Sequence, residues 1–399
     1  MFFMKWKALA ACTLAGLALI AAGCGGGDKA AAGGAKAGGQ DLKGKKLVMY
    51  VSFHEDTAKE LADLFKKQTG ADVSFIRLPT GEALARITAE KDAPKADIWL
   101  GGTADAHAKA AADGLLEAYK SKNAKMIMPE YQDKDGFWYG TYLEVLAIGY
   151  NEKRFNEEFK PKGVAAPTTL QDLLKPEFKG EIIMPDPRKS GTGNTFISSV
   201  LQNMGEEKGW EYLKALKPQI AQFTPSGFTP GQKAGAGEYL ITVNFISDQN
   251  LVSAKGQKLV STIYDQAGWT VCPVGKIKNK ANEDVAKAFI DFVLTKEAGD
   301  ILVKTTNGIA CNPEVAPPQG MKPLKELPLF KTYDLVKAGA DKQKNCDTFF
   351  AEEYVCQKAS STNDGGGNFL SITFTYLRNS LLYTCPSLAD GKAGRHLLF

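Results

Sequence analysis

The chain has 399 residues, of which 44% are hydrophobic and 24% are charged. These proportions are close to those of soluble globular proteins, so they exclude wholesale disorder and a membrane protein of many spans. The 49 basic residues exceed the 45 acidic residues by only four, whereas a nucleic-acid binder usually carries a basic patch. Three histidines are too few for a multi-histidine metal centre, and seven cysteines are too few for a disulfide scaffold.

Residues 1–23 are predicted to be a secretory signal peptide. Lys5 and Lys7 precede an apolar run over residues 8–22, which is shorter than the roughly 20 residues of an ordinary membrane span. The run ends in small residues directly before Cys24, a pattern that resembles the bacterial lipobox. The resemblance implies that Cys24 is lipidated and becomes the first mature residue. An ordinary signal peptide with an incidental cysteine is the alternative.

The segment after Cys24 has the composition of a flexible tether. Residues 25–40 are almost entirely Gly, Ala and Lys and have no apolar periodicity. We therefore interpret residues 24–44 as a lipidated cysteine and a tether that holds a folded body away from a membrane surface.

The body that follows alternates strand and helix patterns, which is typical of a parallel, doubly wound α/β sheet. In order, the patterns predict a strand over Lys46–Ser52, a helix ending at Gly70, a strand over Val73–Leu78, a helix over Glu82–Lys91 and a strand over Ala96–Leu100. Ligands of such sheets bind at the carboxyl ends of the strands.

A long extended segment, Phe137–Asn151, has the length and aromatic content of a strand that leaves one lobe and enters another. Later patterns predict strands over Ile182–Pro185, Glu238–Phe245 and Trp269–Val274, a loop leading into a helix over Ser190–Met204, and helices over Ala281–Leu294 and Ala298–Thr305. The strand from Trp269 and the last two helices are expected to return to the first lobe.

This order of elements resembles the solute-binding proteins of ABC importers, specifically the type II periplasmic binding fold of the ferric, phosphonate and sugar-phosphate subfamily. The resemblance covers about residues 45–345 and is specific, because several independent stretches occur in the right order. Those stretches are Phe65–Gly70, Ala96–Gly102 with Gly114–Tyr119, Gly140–Tyr142 through Gly149–Asn151, and Pro185–Pro187 with Ser190–Gly193.

The resemblance implies two doubly wound α/β lobes joined by a hinge. Lobe 1 is expected at residues 45–142 and 272–350, and lobe 2 at residues 143–271. The implied protein is a monomer without catalytic activity or cofactor, lipid-anchored in the bacterial cell envelope and facing the periplasm or the cell exterior. Its implied partners are a small anionic solute and an ABC permease, with no nucleic acid.

The segment Ser190-Gly191-Thr192-Gly193-Asn194 is the most chemically distinctive in the chain. Free backbone N–H groups at a helix start, together with two hydroxyls, are suited to binding an anion. The segment lacks the third glycine of a dinucleotide fingerprint and the Gly-Lys-Ser/Thr of a P-loop. Family members that bind phosphorylated sugars or aminoethylphosphonate hold the phosphate on a similar Ser-Gly-Thr, so the resemblance implies such a ligand here. A plain capped helix start is the alternative.

Residues at the ends of the first and third strands are candidates for a second set of anion donors from the opposite lobe. Ser52 and His54 follow the first strand, with helix capping as the alternative role. Gly102 and Thr103 follow the third strand, where a tight turn is the alternative. The crossover residues Thr141 and Tyr142 are also assigned to the site.

The segment from Asn244 to Asp248 is expected to contribute from the second lobe. In ferric-binding family members, a pair of adjacent tyrosines at this place ligates iron. Phe245 and Ile246 stand there in this chain and cannot supply the hard oxygen ligands that iron needs. Asn244, Asp248 and Asp265 are assigned to the site, the two carboxylates as acceptors for hydroxyls or an ammonium group. A solvated loop position is the alternative for either aspartate.

Residues 351–399 are predicted to be an atypical, disordered C-terminal tail, because family members usually end near this point. Cys272 and Cys311 are expected to be buried free thiols rather than a disulfide, although an oxidising compartment would allow them to pair.

Three other functions stay open from the sequence. The first is a binding protein for ferric iron or another metal. The second is a phosphate-handling enzyme that uses His54 as a base, with Ser190 or Thr192 near the ester. The third is a surface adhesin with a vestigial cleft. Stable binding without turnover would argue against the enzyme, and metal content on purification would test the ferric alternative.

Overall fold

The structure is a computed structural model that describes residues 41–322 and 326–351 in full and the backbone of residues 356–363, 369–378 and 381–386. The predicted signal peptide and Cys24 lie outside the described residues. Within the part that is described, no helix is both long and apolar enough to cross a membrane.

The first lobe opens with three parallel strands. Its first elements are β1 (Lys46–Ser52), α1 (Glu55–Thr69), β2 (Asp72–Arg77), α2 (Thr80–Ala89), β3 (Ile98–Gly101) and α3 (Ala104–Ala112). Strand β1 lies between β2 and β3 and runs parallel to both, which confirms the predicted parallel pairing. Helix α1 buries Leu61 and Phe65 on one face and ends at Gly70, whose φ of 78° is readily adopted only by glycine.

The remaining elements of the body follow in one run along the chain. They are β4 (Leu116–Glu117), β5 (Trp138–Asn151), α4 (Glu152–Arg154), β6 (Ile182–Pro185), α5 (Gly191–Met204), α6 (Glu206–Leu216), β7 (Ile220–Thr224), α7 (Thr229–Gly235), β8 (Ile241–Phe245), α8 (Ile246–Ala254), β9 (Leu259–Thr262), β10 (Trp269–Ile277), α9 (Glu283–Val293), α10 (Lys296–Thr306), β11 (Ile309–Ala310) and α11 (Leu335–Phe350). Helices α9 and α10 pack on α1, as predicted for a chain that returns to lobe 1.

Strand β5 belongs to both lobes. The first half of β5, Trp138–Val145, pairs antiparallel with β10, which in turn pairs with β3. The second half, from Leu146 onward, pairs with β8 and β9. The strand order is β2-β1-β3-β10-β5-β8-β6-β7. The predicted strand that passes from one lobe to the other is therefore confirmed. Helix α11 lies against both α3 of lobe 1 and α5 of lobe 2.

Two predicted boundaries differ from the structure. Helix α5 begins at Gly191, so the predicted loop of Ser190–Asn194 is almost entirely the first turn of the helix. Strand β8 begins at Ile241 rather than Glu238, because Gly237 has a φ of 83° and forms a turn directly before these residues. Cys272 and Cys311 are buried free thiols, as predicted.

The tail contains strands β12 (Cys356–Asn363), β13 (Phe369–Arg378) and β14 (Leu381–Pro386), which pair in an antiparallel sheet of their own. The expected disorder of residues 351–399 therefore does not hold for these three strands. Aromatic and β-branched residues alternate with polar ones along β13, a pattern that favours a strand. None of the strand pairs in the described residues joins this sheet to the eleven-stranded sheet of the body.

Deletion of residues 353–399 is expected to leave the melting temperature and the ligand affinity of the body nearly unchanged, because the tail sheet adds no strand to the body. Thermal melting and calorimetry on the full and shortened chains would measure both. A drop of more than about 4 °C, which corresponds to roughly 1–2 kcal/mol, would show that the tail packs on the body and stabilises it.

Candidate ligand-binding cleft

A cleft with a volume of about 60 Å³ lies between the two lobes, at the carboxyl ends of β1 and β3. The first turns of α5 and α8 and the middle of β5 form its other walls. The predicted site residues that line it are Ser52, His54, Gly102, Thr103, Tyr142, Ser190, Thr192 and Asp248. The structure thus brings together residues that are far apart in the sequence and belong to both lobes.

The wall from lobe 2 carries the hydroxyls of Ser190 and Thr192. Ser190 occupies the N-cap position of α5, but its side chain makes no capping hydrogen bond. Both residues are buried, and the N–H groups of the first helical turn lie beside them. Because its side chain makes no capping bond to the helix, the Ser190 hydroxyl can bind a ligand. This observation argues against a plain capped helix start.

The wall from lobe 1 carries the hydroxyls of Ser52 and Thr103. The indole Nε1 of Trp99 donates to Ser52 Oγ at 3.0 Å. An indole N–H can only donate, so the hydroxyl proton of Ser52 stays available for another acceptor. Thr103 is 2% exposed, and its Oγ1 has no hydrogen-bond partner among the described residues. A buried hydroxyl without a partner costs about 1–3 kcal/mol, so the Thr103 hydroxyl favours a bound acceptor.

The hydroxyl walls of the two lobes converge. A Cβ atom added to Gly191 would lie 2.4 Å from Thr103 Oγ1, so only glycine lets α5 approach this hydroxyl so closely. Within lobe 2, a Cβ atom on Gly227 would lie 2.2 Å from Thr192 Oγ1. Gly102, with a φ of 80°, forms the turn that leads from β3 to Thr103. Glycines therefore allow the close approach of backbone and hydroxyls at this end of the cleft.

The cleft wall also carries two carboxyl groups, those of Glu144 and Asp248. Glu144 lies on β5 and accepts a hydrogen bond from Ser247 Oγ. Burial, followed by the negative charge of Asp248, raises the pKa of Glu144 well above its ordinary range, while the hydroxyls of Ser247 and Tyr142 oppose this shift. Burial likewise raises the pKa of Tyr142.

Contacts between the lobes surround the cleft. His54 Nε2 lies 3.1 Å from Asp248 Oδ1, and Nε2 is the donor because an ionised carboxylate can only accept. Arg77 Nη2 donates to Ser226 Oγ at 3.2 Å. The lobes thus touch across the cleft, in the arrangement expected when such a protein closes around a solute.

Three predicted site residues point away from the cleft and hold the fold instead. Thr141 Oγ1 donates to the Cys272 carbonyl at 2.6 Å, and Asn194 Nδ2 donates to Asp105 Oδ2 at 2.7 Å. Asn244 bonds to the backbone of Gly227. Side chains alternate along a strand, so Thr141 and Asn244 point away when their neighbours Tyr142 and Phe245 face the cleft. These three residues therefore do not line the cleft in the structure, and their role in ligand binding stays a prediction.

Three more predicted residues contribute no side chain to the cleft wall. Gly191 and Gly193 lie in the first turn of α5, where Gly193 packs closely against the backbone of Pro185 and Pro187. Asp265 is exposed and does not line the cleft.

Sequence reasoning missed several residues of the cleft, above all Glu144, Arg77 and Phe228. A carboxylate in the otherwise apolar run of β5 was the available signal for Glu144, because buried carboxylates are rare unless they have a function or a partner. In the described residues, no group of three or more His, Cys, Asp or Glu side chains is placed to hold a metal ion.

The comparisons with known proteins agree with this geometry. A family model described as "Bacterial extracellular solute-binding protein" matches residues 93–334. The chain belongs to this family. The periplasmic binding protein AfuA from Actinobacillus pleuropneumoniae, solved with exogenous fructose-6-phosphate bound, is 34% identical; the match covers 75% of this chain and 96% of AfuA, with a TM-score of 0.71.

Two further relatives are about equally similar. The periplasmic binding protein P5PA is 32% identical with a TM-score of 0.72, and the match covers 76% of this chain and 98% of P5PA. An uncharacterized protein of Haemophilus influenzae is 33% identical over 328 residues, which are 79% of this chain and 91% of the relative. The predicted type II periplasmic binding fold and the predicted role as a solute-binding protein of an ABC importer are confirmed. The family binds solutes in the periplasm or cell envelope.

Glu144→Gln is expected to raise the melting temperature more at pH 8 than at pH 5. Because the pKa of Glu144 is raised in the folded protein, the folded state holds a proton that the unfolded chain releases. Stability therefore falls as the pH rises above the ordinary value of 4.5, and glutamine removes this decline. Each kcal/mol gained corresponds to about 2–4 °C.

Thermal melting in phosphate-free buffers at the two pH values would measure the effect. Glu157→Gln, at an exposed position of lobe 2, removes the same charge and is expected to change neither melting temperature. An equal gain at both pH values, or a loss at pH 8, would contradict the assignment of a strained buried carboxylate.

Proposed function

We propose that the solute carries a phosphate or phosphonate group, held between the hydroxyls of Ser190 and Thr192 in lobe 2 and those of Ser52 and Thr103 in lobe 1. The N–H groups at the start of α5 add further donors and the positive end of the helix dipole. The observation that carries this proposal is the convergence of buried hydroxyls from both lobes, with Thr103 Oγ1 lacking any partner in the described chain. The fructose-6-phosphate bound to AfuA supports it.

The other end of the proposed solute carries hydrogen-bond donors. Glu144 and Asp248 are acceptors when ionised, and Asp248 has one oxygen directed at His54. Hydroxyls of a sugar or the ammonium group of an aminoalkylphosphonate would bond to these carboxylates. Phe228 and Phe245 supply apolar surface for the carbon skeleton between the two ends.

Binding would proceed by closure of the two lobes. Strands β5 and β10 connect the lobes, and the hydroxyl donors for the phosphate come from both sides. A solute that bonds to both walls stabilises the closed form, which would then deliver it to the permease.

Ferric iron is the second candidate, because Tyr142, Glu144 and Asp248 all line the cleft and contain oxygen ligands. Phe245, however, places a hydrocarbon ring in the cleft at one of the positions where the ferric subfamily has tyrosine. Metal analysis of the purified protein would test this candidate. A phosphate-handling enzyme would have to use His54 Nδ1 as its base, because Nε2 faces Asp248.

The double variant Ser190→Ala/Thr192→Val is expected to weaken binding of a phosphorylated solute by about two to four powers of ten. Each hydrogen bond to a charged group contributes roughly 1.5–3 kcal/mol, and the estimate assumes that the two losses add. Calorimetry with aminoethylphosphonate, hexose phosphates, inorganic phosphate and ferric citrate would measure it.

The matched control is Ser253→Ala/Thr262→Val, which removes two hydroxyls of lobe 2 outside the cleft and is expected to bind like the wild type. Tight binding of ferric ion by the wild type, without a response to any phosphorylated or phosphonate solute, would favour the metal candidate instead.

Lipid anchoring is the second part of the proposal. Cys24 follows small residues at the end of the apolar N-terminal run and precedes the Gly, Ala and Lys-rich tether. Cys24→Ser is expected to abolish incorporation of labelled lipid and to release the protein from the membrane fraction. Cys272→Ser, which changes a buried thiol, is the control and is expected to leave labelling intact. Unchanged labelling of the Cys24 variant would end the lipoprotein assignment.

A further inference from the structure

Helices α3 and α5, which begin at the two hydroxyl walls of the cleft, are joined by a buried hydrogen bond. Helix α3 starts directly after Thr103, and α5 starts directly after Ser190. Asn194, in the first turn of α5, donates through Nδ2 to Asp105 Oδ2, in the first turn of α3, at 2.7 Å. Asn194 is 0% exposed and Asp105 is 1% exposed. The bond therefore crosses from lobe 2 to lobe 1 at a place that is shielded from water.

The Asp105 carboxyl group depends on this bond. Its other oxygen, Oδ1, is buried and has no hydrogen-bond partner among the described residues. A buried carboxyl group needs hydrogen bonds to offset the loss of water. The Asn194 amide is therefore the main partner of Asp105, and separation of the two helix starts would leave this carboxyl group without a donor.

Helix α11 packs against both members of the pair. The Ala338 carbonyl accepts a second hydrogen bond from Asn194 Nδ2 at 3.3 Å. A Cβ atom added to Gly339 would lie 2.3 Å from the backbone carbonyl oxygen of Asp105, so only glycine lets α11 approach α3 so closely. These contacts fix where the starts of α3 and α5 lie relative to each other.

We infer that Asp105 and Asn194 are positioning residues of the anion site: their hydrogen bond sets the distance between the two helix starts whose hydroxyls face the solute. Asp105 lies two positions after Thr103, and Asn194 lies two positions after Thr192. A shift of either helix start would move its hydroxyl as well, and a binding site tolerates displacements of only about 0.5 Å. The contact between Gly191 and Thr103 Oγ1 shows that the two walls touch at the present spacing.

The inference rests on the proposed function, because it needs an anion between the two walls. It goes beyond that function by giving a role in binding to two residues that do not line the cleft. The alternative is that the bond only stabilises the fold, and the experiment must separate the two roles.

The test changes the pair without touching the cleft wall. Asn194→Asp places a second carboxyl group against Asp105, and juxtaposed like charges are unfavourable. This variant is expected to weaken binding of a phosphorylated solute about a hundredfold or more, because the two helix starts are pushed apart. Asp105→Asn keeps the size of the side chain and an acceptor for Asn194, so it is expected to bind within about tenfold of the wild type. Calorimetry with aminoethylphosphonate, glucose-6-phosphate and inorganic phosphate would measure the affinities.

The exchanged pair Asp105→Asn/Asn194→Asp restores one donor and one acceptor across the junction. It is expected to recover binding to within about tenfold of the wild type, which unrelated damage to the fold would not do. The matched control is Asn151→Asp, because Asn151 is buried, does not line the cleft and donates to the carbonyls of Ala234 and Gly235 within lobe 2. The control is expected to lower the melting temperature and to bind like the wild type.

The outcomes separate the inference from the function on which it rests. If Asn194→Asp lowers the melting temperature but leaves the affinity unchanged, the pair only stabilises the fold and the inference is wrong. Failure of the exchanged pair to recover binding would also overturn it. In either case, loss of binding in Ser190→Ala/Thr192→Val would still support the phosphate site.

A second variant serves if Asn194→Asp does not fold. Asn194→Ala removes the donor without adding a charge and is expected to weaken binding about tenfold. An unchanged affinity of this variant would overturn the inference. If the wild type binds none of the three solutes, the proposed function is wrong, and the inference falls with it.

Discussion

The structure depends on one strand that serves two sheets. Strand β5 pairs with β10 up to Val145 and with β8 and β9 from Leu146 onward, so the register of both lobes is set by the same stretch of backbone. Alternation along this strand then decides which side chains face the space between the lobes. Tyr142 and Glu144 face it, whereas Thr141 bonds to the neighbouring strand. The crossing strand thus both joins the lobes and forms the floor of the cleft.

Parallel strands bring the other walls to the same place. β1 and β3 end side by side, which places Ser52 and Thr103 together although about fifty residues separate them. The first turn of α5 faces them from the other lobe with Ser190 and Thr192. Each of these groups follows a buried strand or begins a helix, so their positions are determined by the core rather than by flexible loops. Such rigid placement is what recognition of a small anion requires.

The sequence predicted the order of the strands, the crossing strand and the hydroxyl groups, because strand periodicity and glycines at turns are local features. It could not predict which face of each strand meets the cleft, since that depends on tertiary pairing. For this reason Thr141 and Asn244 were assigned to the cleft, and Asn194 was assigned there because the sequence does not show which side of the first turn of α5 faces it. Helix α8 was not predicted because its residues show little amphipathic periodicity. Glu144 was overlooked because its neighbour Asp248 is 104 positions away in the chain.

The same features explain why closure and recognition are one event. With the lobes in contact, Thr103 Oγ1 is buried without a partner among the described residues and Glu144 is buried beside Asp248, so contact of the lobes around an empty cleft is unfavourable. A solute that accepts hydrogen bonds at one end and donates them at the other removes both costs. Because such a solute binds the closed form more tightly than the open form, it shifts the equilibrium toward the closed form. A solute that makes only one of these two sets of hydrogen bonds leaves the other cost in place, so it shifts the equilibrium toward the closed form by a smaller amount. Selectivity therefore follows from the energetics of the hinge as well as from contacts in the cleft.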